Sequence, residues 1–233
     1  MSDETPLGGG RVTTGVVRIG DTVRRPRGAN AAFVHELLRG LERVRFDAAP
    51  RPLGIDDEGR EVLTFIEGTV PTDCGSIVWT DAQLEAAAQL LRRFHDATAR
   101  STLRATSEVV CHNDFGPWNL VWRNELPVGI IDFDSAAPGG RVDDLGYAAW
   151  KHLNLGLIER PVEEQRRRLG FFADAYGAKV DEPLLRAIER AQERMHALIE
   201  RATDPGRNVA LSQIRFEQTW LRANTHALIG QRR

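Results

Sequence analysis

The chain has 233 residues and a formal net charge of −2, from 31 Lys and Arg residues against 33 Asp and Glu residues. This length suits one domain, or two small lobes that share a cleft. The balanced charge offers no electrostatic argument for a nucleic-acid or membrane partner, no apolar run reaches transmembrane length, and the polar, Gly-rich start lacks the apolar core of a signal peptide, so we expect a cytoplasmic protein with neither partner.

Short apolar stretches separated by turn residues predict strands in the first third of the chain. Residues 11–20 and 22–25 form a hairpin pattern around Gly20-Asp21, and residues 50–56 and 61–67 form a second one. Between the two hairpins, Asn30 is placed to cap a helix that runs to about residue 44. The pattern therefore predicts an antiparallel sheet accompanied by one helix.

A second helix is predicted after residue 80. Thr80 and Gln83 have the spacing of a capping box, and an apolar stripe continues to about residue 97. His95 lies near the end of this helix without a second metal ligand at helical spacing, so we interpret it as structural. The two cysteines, Cys74 and Cys111, are too few for a disulfide framework, and Cys111 lies in an apolar strand.

A compound motif follows between residues 110 and 134. An apolar strand leads into a His-x-Asp turn that ends at Asp114, Asn119 stands five residues later, and an apolar run then ends in Asp132. Phosphoryl transfer needs a carboxylate that accepts the proton of the attacking hydroxyl, and oxygen ligands that hold Mg²⁺ on the phosphates. Asp114 can be the base, and Asn119 and Asp132 can be the metal ligands.

This motif resembles that of the aminoglycoside phosphotransferases and the related choline-kinase-like small-molecule kinases. The matching positions are His112, Asp114, Pro117, Asn119, Asp132, Phe133, Gly140, Asp144 and Leu145. The resemblance implies an α+β, protein-kinase-like fold with two lobes: an antiparallel sheet lobe over residues 1–68 and a mainly helical catalytic lobe over residues 69–233. Because the first hairpin begins close to Met1, we expect a shortened N-terminal sheet.

The resemblance also implies supporting roles around the motif. His112 would orient the loop through hydrogen bonds rather than act as the base. Asp144 would fasten the same loop by capping or hydrogen bonding. Asp134 could contact a second Mg²⁺ or be a solvated loop acid, and we favour the solvated acid.

In this family a lysine of the second hairpin strand binds the nucleotide, and here Arg24 and Arg25 stand in that strand. Period-two alternation puts Arg25 on the face of Val23, which favours Arg25 as the phosphate contact, although both arginines could be surface residues. Glu36, on the first helix, would then pair with Arg25. The alternative is that Glu36 belongs to a solvated helix face.

Two further segments complete the implied nucleotide site. Main-chain groups near Glu67 and Gly68 would hold the adenine at the hinge between the lobes. The run Gly8-Gly9-Gly10 is the candidate for a loop that covers the phosphates, but a disordered N-terminus is the favoured interpretation of these residues.

Beyond residue 159 the pattern predicts three helices. The first stops at Gly177, the second runs from about Asp181 to a break at residues 204–206, and the last runs from about Asn208 to Ile229. Acidic residues here would suit a cationic aminoglycoside, but acidic and basic residues are mixed throughout. Composition therefore does not select an aminoglycoside as the acceptor.

We therefore predict a phosphotransferase that uses Mg²⁺ and moves the γ-phosphoryl group of ATP or GTP to a hydroxyl of a small molecule. Two alternatives are open. The shortened first lobe and the missing lysine would also suit a kinase-fold protein that binds a nucleotide or metabolite without transfer. A metal-dependent hydrolase built on His112, Asp114, Asp132 and Asp134 is less favoured, because it leaves Pro117 and Asn119 unexplained.

Overall fold

The computed structural model describes residues 4–7, 15–72, 77–157, 159–203 and 205–230. The Gly8–Gly10 run and Cys74 lie outside these residues. Across the described ranges, no helix combines the length and the apolar character needed to cross a membrane.

A five-stranded antiparallel sheet forms the N-terminal part of the molecule, in the order β1-β2-β3-β5-β4. Its strands are β1 (Thr5–Pro6), β2 (Val17–Ile19), β3 (Thr22–Arg25), β4 (Pro52–Ile55) and β5 (Glu61–Thr64). The predicted hairpins are thus present, and β3 joins them by pairing with β5. The sheet is shortened through its strands, of which β1 has 2 residues and the longest have 4, rather than through their number.

Helix α1 (Ala31–Arg43) lies between the hairpins and buries Val34, Leu37, Leu38 and Leu41. Asn30 stands at its N-terminus, as predicted, but the expected side-chain cap is wrong. The Asn30 amide nitrogen instead donates to the carbonyl oxygens of Asp134 and Ala136, at 3.2 and 3.1 Å. The side chain therefore joins the start of α1 to a turn more than 100 residues away in sequence.

The rest of the chain is mainly helical. Its helices are α2 (Asp81–Thr98), α3 (Arg141–Leu153), α4 (Val162–Tyr176), α5 (Glu182–Arg201) and α6 (Arg207–Ile229). The capping box of Thr80 and Gln83 is confirmed, as is the end of α4 at Gly177, which adopts a φ of +89°. Helix α3 packs against α5, and α2 packs against α4, so the helices form one layered core.

Two short antiparallel strand pairs lie between α2 and α3. Strand β6 (Val109–Cys111) pairs with β9 (Ala137–Gly139), and β7 (Leu120–Arg123) pairs with β8 (Leu126–Ile130). The loops at the ends of β6, β7 and β8 carry the motif described above. The polar motif is thus built directly on buried strands, because β6 and the first three residues of β7 are buried.

The sheet is connected to the helical part through residues 65–72. The backbone of Thr69 exchanges two hydrogen bonds with that of Trp122 on β7, at 2.8 and 2.7 Å. Gly68 precedes this bridge with a φ of +146°, and a Cβ atom there would lie 2.5 Å from the Trp122 carbonyl oxygen. Only glycine fits this position without rearrangement, because both the backbone conformation and the space exclude a side chain.

Candidate active site

The loop of residues 112–119 is held by two buried side chains. The His112 Nδ1 atom accepts the amide of Asp114 at 3.3 Å, and Nε2 donates to the carbonyl oxygen of Ile131 at 3.0 Å. Asp144, at the start of α3, accepts the backbone amides of His112 and Asn113 at 2.7 and 2.8 Å. These contacts set the direction in which Asp114 leaves the loop.

Asp144 is inaccessible to solvent and carries a pKa below its ordinary value. Burial by itself would raise the pKa of this carboxyl, but the hydrogen bonds from His95 and the His112 amide outweigh it. His95 lies 3.0 Å from Asp144 through Nε2 and 2.7 Å from the Tyr176 hydroxyl through Nδ1. Both ring nitrogens thereby have hydrogen-bond partners within the protein, as a structural role for His95 requires.

Both oxygens of the half-buried Asp114 carboxylate accept a hydrogen bond. Asn119 donates its amide nitrogen to Oδ2 at 2.8 Å, and the Tyr147 hydroxyl donates to Oδ1 at 2.5 Å. Burial and the Asp114 charge raise the pKa of Tyr147 well above its ordinary value, so its hydroxyl stays protonated as a donor. With its side-chain nitrogen bound to Asp114, Asn119 can offer its side-chain oxygen, Oδ1, to a cation.

Asp132 follows strand β8 and adopts a left-handed backbone conformation with a φ of +61°. The pairing of Leu120 with Ile130, and the 2.9 Å bond from the Ile131 amide to the Asn119 carbonyl, bring Asn119 and Asp132 to the same end of the β7–β8 pair. Burial and the charge of Asp134 raise the pKa of the Asp132 carboxyl. A carboxylate and a carboxamide oxygen are hard donors of the kind Mg²⁺ prefers, so these residues fit that ion.

The Arg25 side chain extends from strand β3 to Asp132 and Asp134. Its Nε atom lies 2.7 Å from Glu61, one terminal nitrogen lies 3.4 Å from Asp132, and the other contacts Asp134. Burial acts to lower the pKa of Arg25, but the hydrogen bonds and charges of Glu61 and Asp134 outweigh it and raise the pKa. A single buried guanidinium is therefore shared by three carboxylates, one from strand β5 and two from the turn after β8.

The expected pairing of Glu36 with Arg25 is wrong. Glu36 is on the exposed face of α1 and lies 3.0 Å from Arg43. The acid that holds Arg25 is Glu61, which stands directly opposite it in the β3–β5 register and is inaccessible to solvent. From α1 it is His35, and not Glu36, that approaches this pair, with Nε2 3.0 Å from Glu61.

The favoured interpretation of Asp134 as a solvated loop acid is also wrong. Its carboxylate contacts Arg25, and its main-chain carbonyl accepts the Asn30 side chain. Gly28 packs against it so closely that a Cβ atom would lie 3.2 Å from the Asp134 Oδ2 atom. The segment from Arg25 to Asn30 and the turn of residues 132–136 thus form one interface.

Glu67 and Gly68 lie in the connection between the sheet and the helical part. The exposed Glu67 side chain accepts a hydrogen bond from Arg18 at 2.6 Å. Arg18 also covers the ring of Phe65, at 3.8 Å from the ring centroid. The side chains of Phe65 and Glu67 are thus both in contact with Arg18 of strand β2.

Two residues of this site were not found from the sequence. Tyr147 follows Asp144 by three positions, so helical spacing could have placed both on the face of α3 that meets the loop. Glu61 opposes Arg25 across two paired strands, and only the strand order reveals that contact.

Phe115 and Trp122 are buried in the core, as expected for packing aromatics.

The sequence matches the model of one known protein family over most of its length. The model of the phosphotransferase enzyme family matches residues 19–188, which include both the sheet and the motif. The chain belongs to the phosphotransferase enzyme family. Among curated proteins, the trifolitoxin immunity protein of Rhizobium leguminosarum bv. trifolii is 38% identical over 181 residues, which cover 71% of this chain and 67% of that protein.

Solved structures show the same kinase-like fold at low sequence identity. A choline/ethanolamine kinase family protein from Mesorhizobium loti has a TM-score of 0.59 at 15% identity, covering 97% of this chain and 92% of that one. The streptomycin–ATP–APH(2'')-IIa ternary complex has a TM-score of 0.58 at 12% identity, covering 94% and 93%. The aminoglycoside phosphotransferase APH(3'')-Id of Streptomyces rimosus, in complex with ADP and streptomycin, has a TM-score of 0.53 at 17% identity, covering 92% of each chain. The predicted α+β, protein-kinase-like fold is confirmed.

Proposed function

We propose that this phosphotransferase family member moves the γ-phosphoryl group of ATP or GTP to a hydroxyl group of a small molecule. The observation that carries the proposal is the setting of Asp114, whose two carboxylate oxygens are oriented by Tyr147 and Asn119. It is half-buried and therefore still reachable by an acceptor. A carboxylate positioned in this way is suited to accept a proton from a hydroxyl group.

In the proposed reaction, Asp114 takes the acceptor's hydroxyl proton while the acceptor oxygen forms a bond to the γ-phosphorus. The bond from that phosphorus to the β–γ bridging oxygen breaks, and the nucleoside diphosphate leaves with the electron pair. Mg²⁺, when bound, neutralises negative charge on the phosphates. Asn119 and Asp132 are the residues that would hold this ion, while His112 and Asp144 keep the loop in place.

The nucleotide would lie between the sheet and the 112–119 loop. Arg25 is the buried cation of the sheet nearest to Asp132, and we assign it the phosphate contact. The main chain near Glu67 and Gly68 would hold the base, and Glu36 has no part in the site, because it is exposed and bound to Arg43. We place the boundary between the two lobes at residues 68 and 69, within the connection from the sheet to the helical part. A chain that uses nucleoside triphosphates in this way would act in the cytoplasm.

The curated relative suggests which acceptor to test. It is named for immunity to trifolitoxin, and a phosphotransferase can confer immunity by adding a charged group to a toxic compound. We therefore propose a toxic small molecule with a free hydroxyl as the acceptor.

A second candidate function is binding without transfer. It is favoured by one observation: Arg25 lies 3.4 Å from Asp132, the proposed metal ligand, and so competes with the ion that transfer would need.

The hydrolase alternative is not proposed, because both His112 nitrogens are used in hydrogen bonds within the protein and neither is left to bind a metal.

The proposal is tested by nucleotide binding followed by transfer. Thermal unfolding with ATP or GTP should show a stabilisation that depends on Mg²⁺, of about 2.7 kcal/mol at 100 times the dissociation constant. Asp132→Ala should lose the Mg²⁺-dependent part of this shift. The matched control is Asp57→Ala, which removes an exposed acid in the β4–β5 turn.

Transfer is then followed with γ-labelled ATP and a panel of hydroxyl compounds, including trifolitoxin. Asp114→Asn should lower the rate by about 10²–10⁴-fold with nucleotide binding preserved. Full turnover in Asp114→Asn would disprove the assignment of the base. Nucleotide binding without transfer to any compound, in a chain that still protects a trifolitoxin-sensitive strain, would instead support the binding function.

A further inference from the structure

The positively charged guanidinium of Arg25 lies among three carboxylates, where a metal cation could otherwise bind. It contacts Asp132 and Asp134, which follow β8, and Glu61, which lies opposite it on β5. Arg25 is 8% exposed, and Glu61 is inaccessible to solvent. Three carboxylates this close together need a positive charge between them, because burying like charges without one is unfavourable.

The contacts of Arg25 with Glu61 and with Asp132 differ in how firmly they are held. The contact to Glu61 joins two residues paired across β3 and β5, and at 2.7 Å it is held by the sheet itself. The contact to Asp132 is longer, at 3.4 Å, and the Asp132 side chain is 40% exposed. Arg25 can therefore lose Asp132 while keeping its anchor on Glu61.

The backbone around Arg25 is held in place, so the side chain is the part that can respond. Asn30 binds the carbonyl oxygens of Asp134 and Ala136, and Gly28 packs on the Asp134 carboxylate. These contacts do not involve the Arg25 side chain. An exchange at Asp132 can thus occur within an otherwise unchanged interface.

We propose that Arg25 is the internal counter-ion of Asp132 and Asp134 in the nucleotide-free chain, and that a divalent cation can occupy Asp132 only by displacing the guanidinium. Arg25 then pivots on Glu61, and the phosphates of the incoming nucleotide accept the guanidinium that the cation has displaced. This inference rests on the proposed function for the identity of the nucleotide, but not for the competition at Asp132. Its consequence is that cation and nucleotide bind cooperatively.

The test measures Mn²⁺ binding directly, by electron paramagnetic resonance of the free ion, in nucleotide-free protein. Arg25→Gln should bind Mn²⁺ on the order of tenfold more tightly than the wild type. Asp132→Asn, combined with Arg25→Gln, should abolish that gain. Since Arg25→Gln leaves the buried Glu61 without its partner, the double variant Arg25→Gln with Glu61→Gln provides the same comparison with the charge of both partners removed.

A non-hydrolysable ATP analogue supplies the second measurement. It should raise the Mn²⁺ affinity of the wild type by a larger factor than that of Arg25→Gln, because only the wild type has a guanidinium to relocate. Equal or weaker Mn²⁺ binding in both Arg25 variants, or no Mn²⁺ binding in any variant, would overturn the inference. Phosphoryl transfer is decided separately, with labelled ATP, so a failure of this inference can be told apart from a failure of the proposed function.

Discussion

The hydroxyl of Tyr147 donates a hydrogen bond to the Oδ1 atom of Asp114 at 2.5 Å. Tyr147 lies one helical turn after Asp144, so a single face of α3 holds the backbone of the 112–119 loop and orients its acid. The position of the proposed base therefore depends on how α3 packs beneath the loop, and not on the loop alone.

Tyr147→Phe should lower the rate of phosphoryl transfer by about tenfold, because Asp114 loses one of the two donors that orient it. The ring is preserved, so the free energy of unfolding should fall by only about 1 kcal/mol. Initial rates and urea denaturation measure the two effects. Tyr176→Phe is the matched control: it removes a hydroxyl bound to His95 instead, and an equal loss of rate there would argue against a specific role for Tyr147.

Asn30→Asp should destabilise the protein, although aspartate is as good a helix cap as asparagine. The Asn30 amide is a donor to two carbonyl oxygens, and a carboxylate would place negative charge against both. We expect a loss of about 1–3 kcal/mol in the free energy of unfolding, measured by urea denaturation. Unchanged or increased stability in Asn30→Asp would show that capping, and not the tether to residues 134 and 136, is the function of this side chain.

Glu61→Ala should destabilise the protein by about 3–5 kcal/mol, since it leaves the buried Arg25 without its strand partner. Glu36→Ala should change stability by less than about 0.5 kcal/mol, because Glu36 is an exposed residue of α1. Denaturation midpoints of these two variants compare the observed partner of Arg25 with the one expected from the sequence. Similar losses in both would contradict the assignment of Glu61.

His152 should make the protein less stable in mild acid. It is fully buried between Phe115 and Phe172, and burial lowers its pKa from 6.5 to about 4. Since the unfolded chain binds the proton more readily, the free energy of unfolding falls as pH drops from about 6.5 to about 4. The shift corresponds to a loss of about 3 kcal/mol.

The measurement is urea denaturation of wild type and His152→Gln across this pH range. Carboxylates with lowered pKa values, such as Asp144, also contribute to acid destabilisation, and they are common to both proteins. The difference between the two proteins should therefore shrink toward low pH, as the wild type loses the part of its stability that depends on a neutral His152. A difference that stays constant with pH would contradict the lowered pKa.

The structural features that depend on nearby residues could be predicted from the sequence. The capping box at Thr80 and Gln83, the end of α4 at Gly177 and the apolar stripes of the helices depend on residues within a few positions of each other. The same holds for the motif from His112 to Asp132, whose members share one loop and one pair of strands. Such features are predictable because helical and strand periodicity set which side chains share a face.

Contacts between residues that are distant in the sequence could not be predicted, because they depend on how the strands and helices pack. Arg25 pairs with Glu61 because β3 lies beside β5, Asn30 binds residues 134 and 136 because α1 begins against that turn, and Tyr147 reaches Asp114 because α3 packs under the loop. The charge of Glu36 made it as plausible a partner as Glu61 in sequence. Burial distinguishes them, since a charge removed from water needs its partner and an exposed one does not.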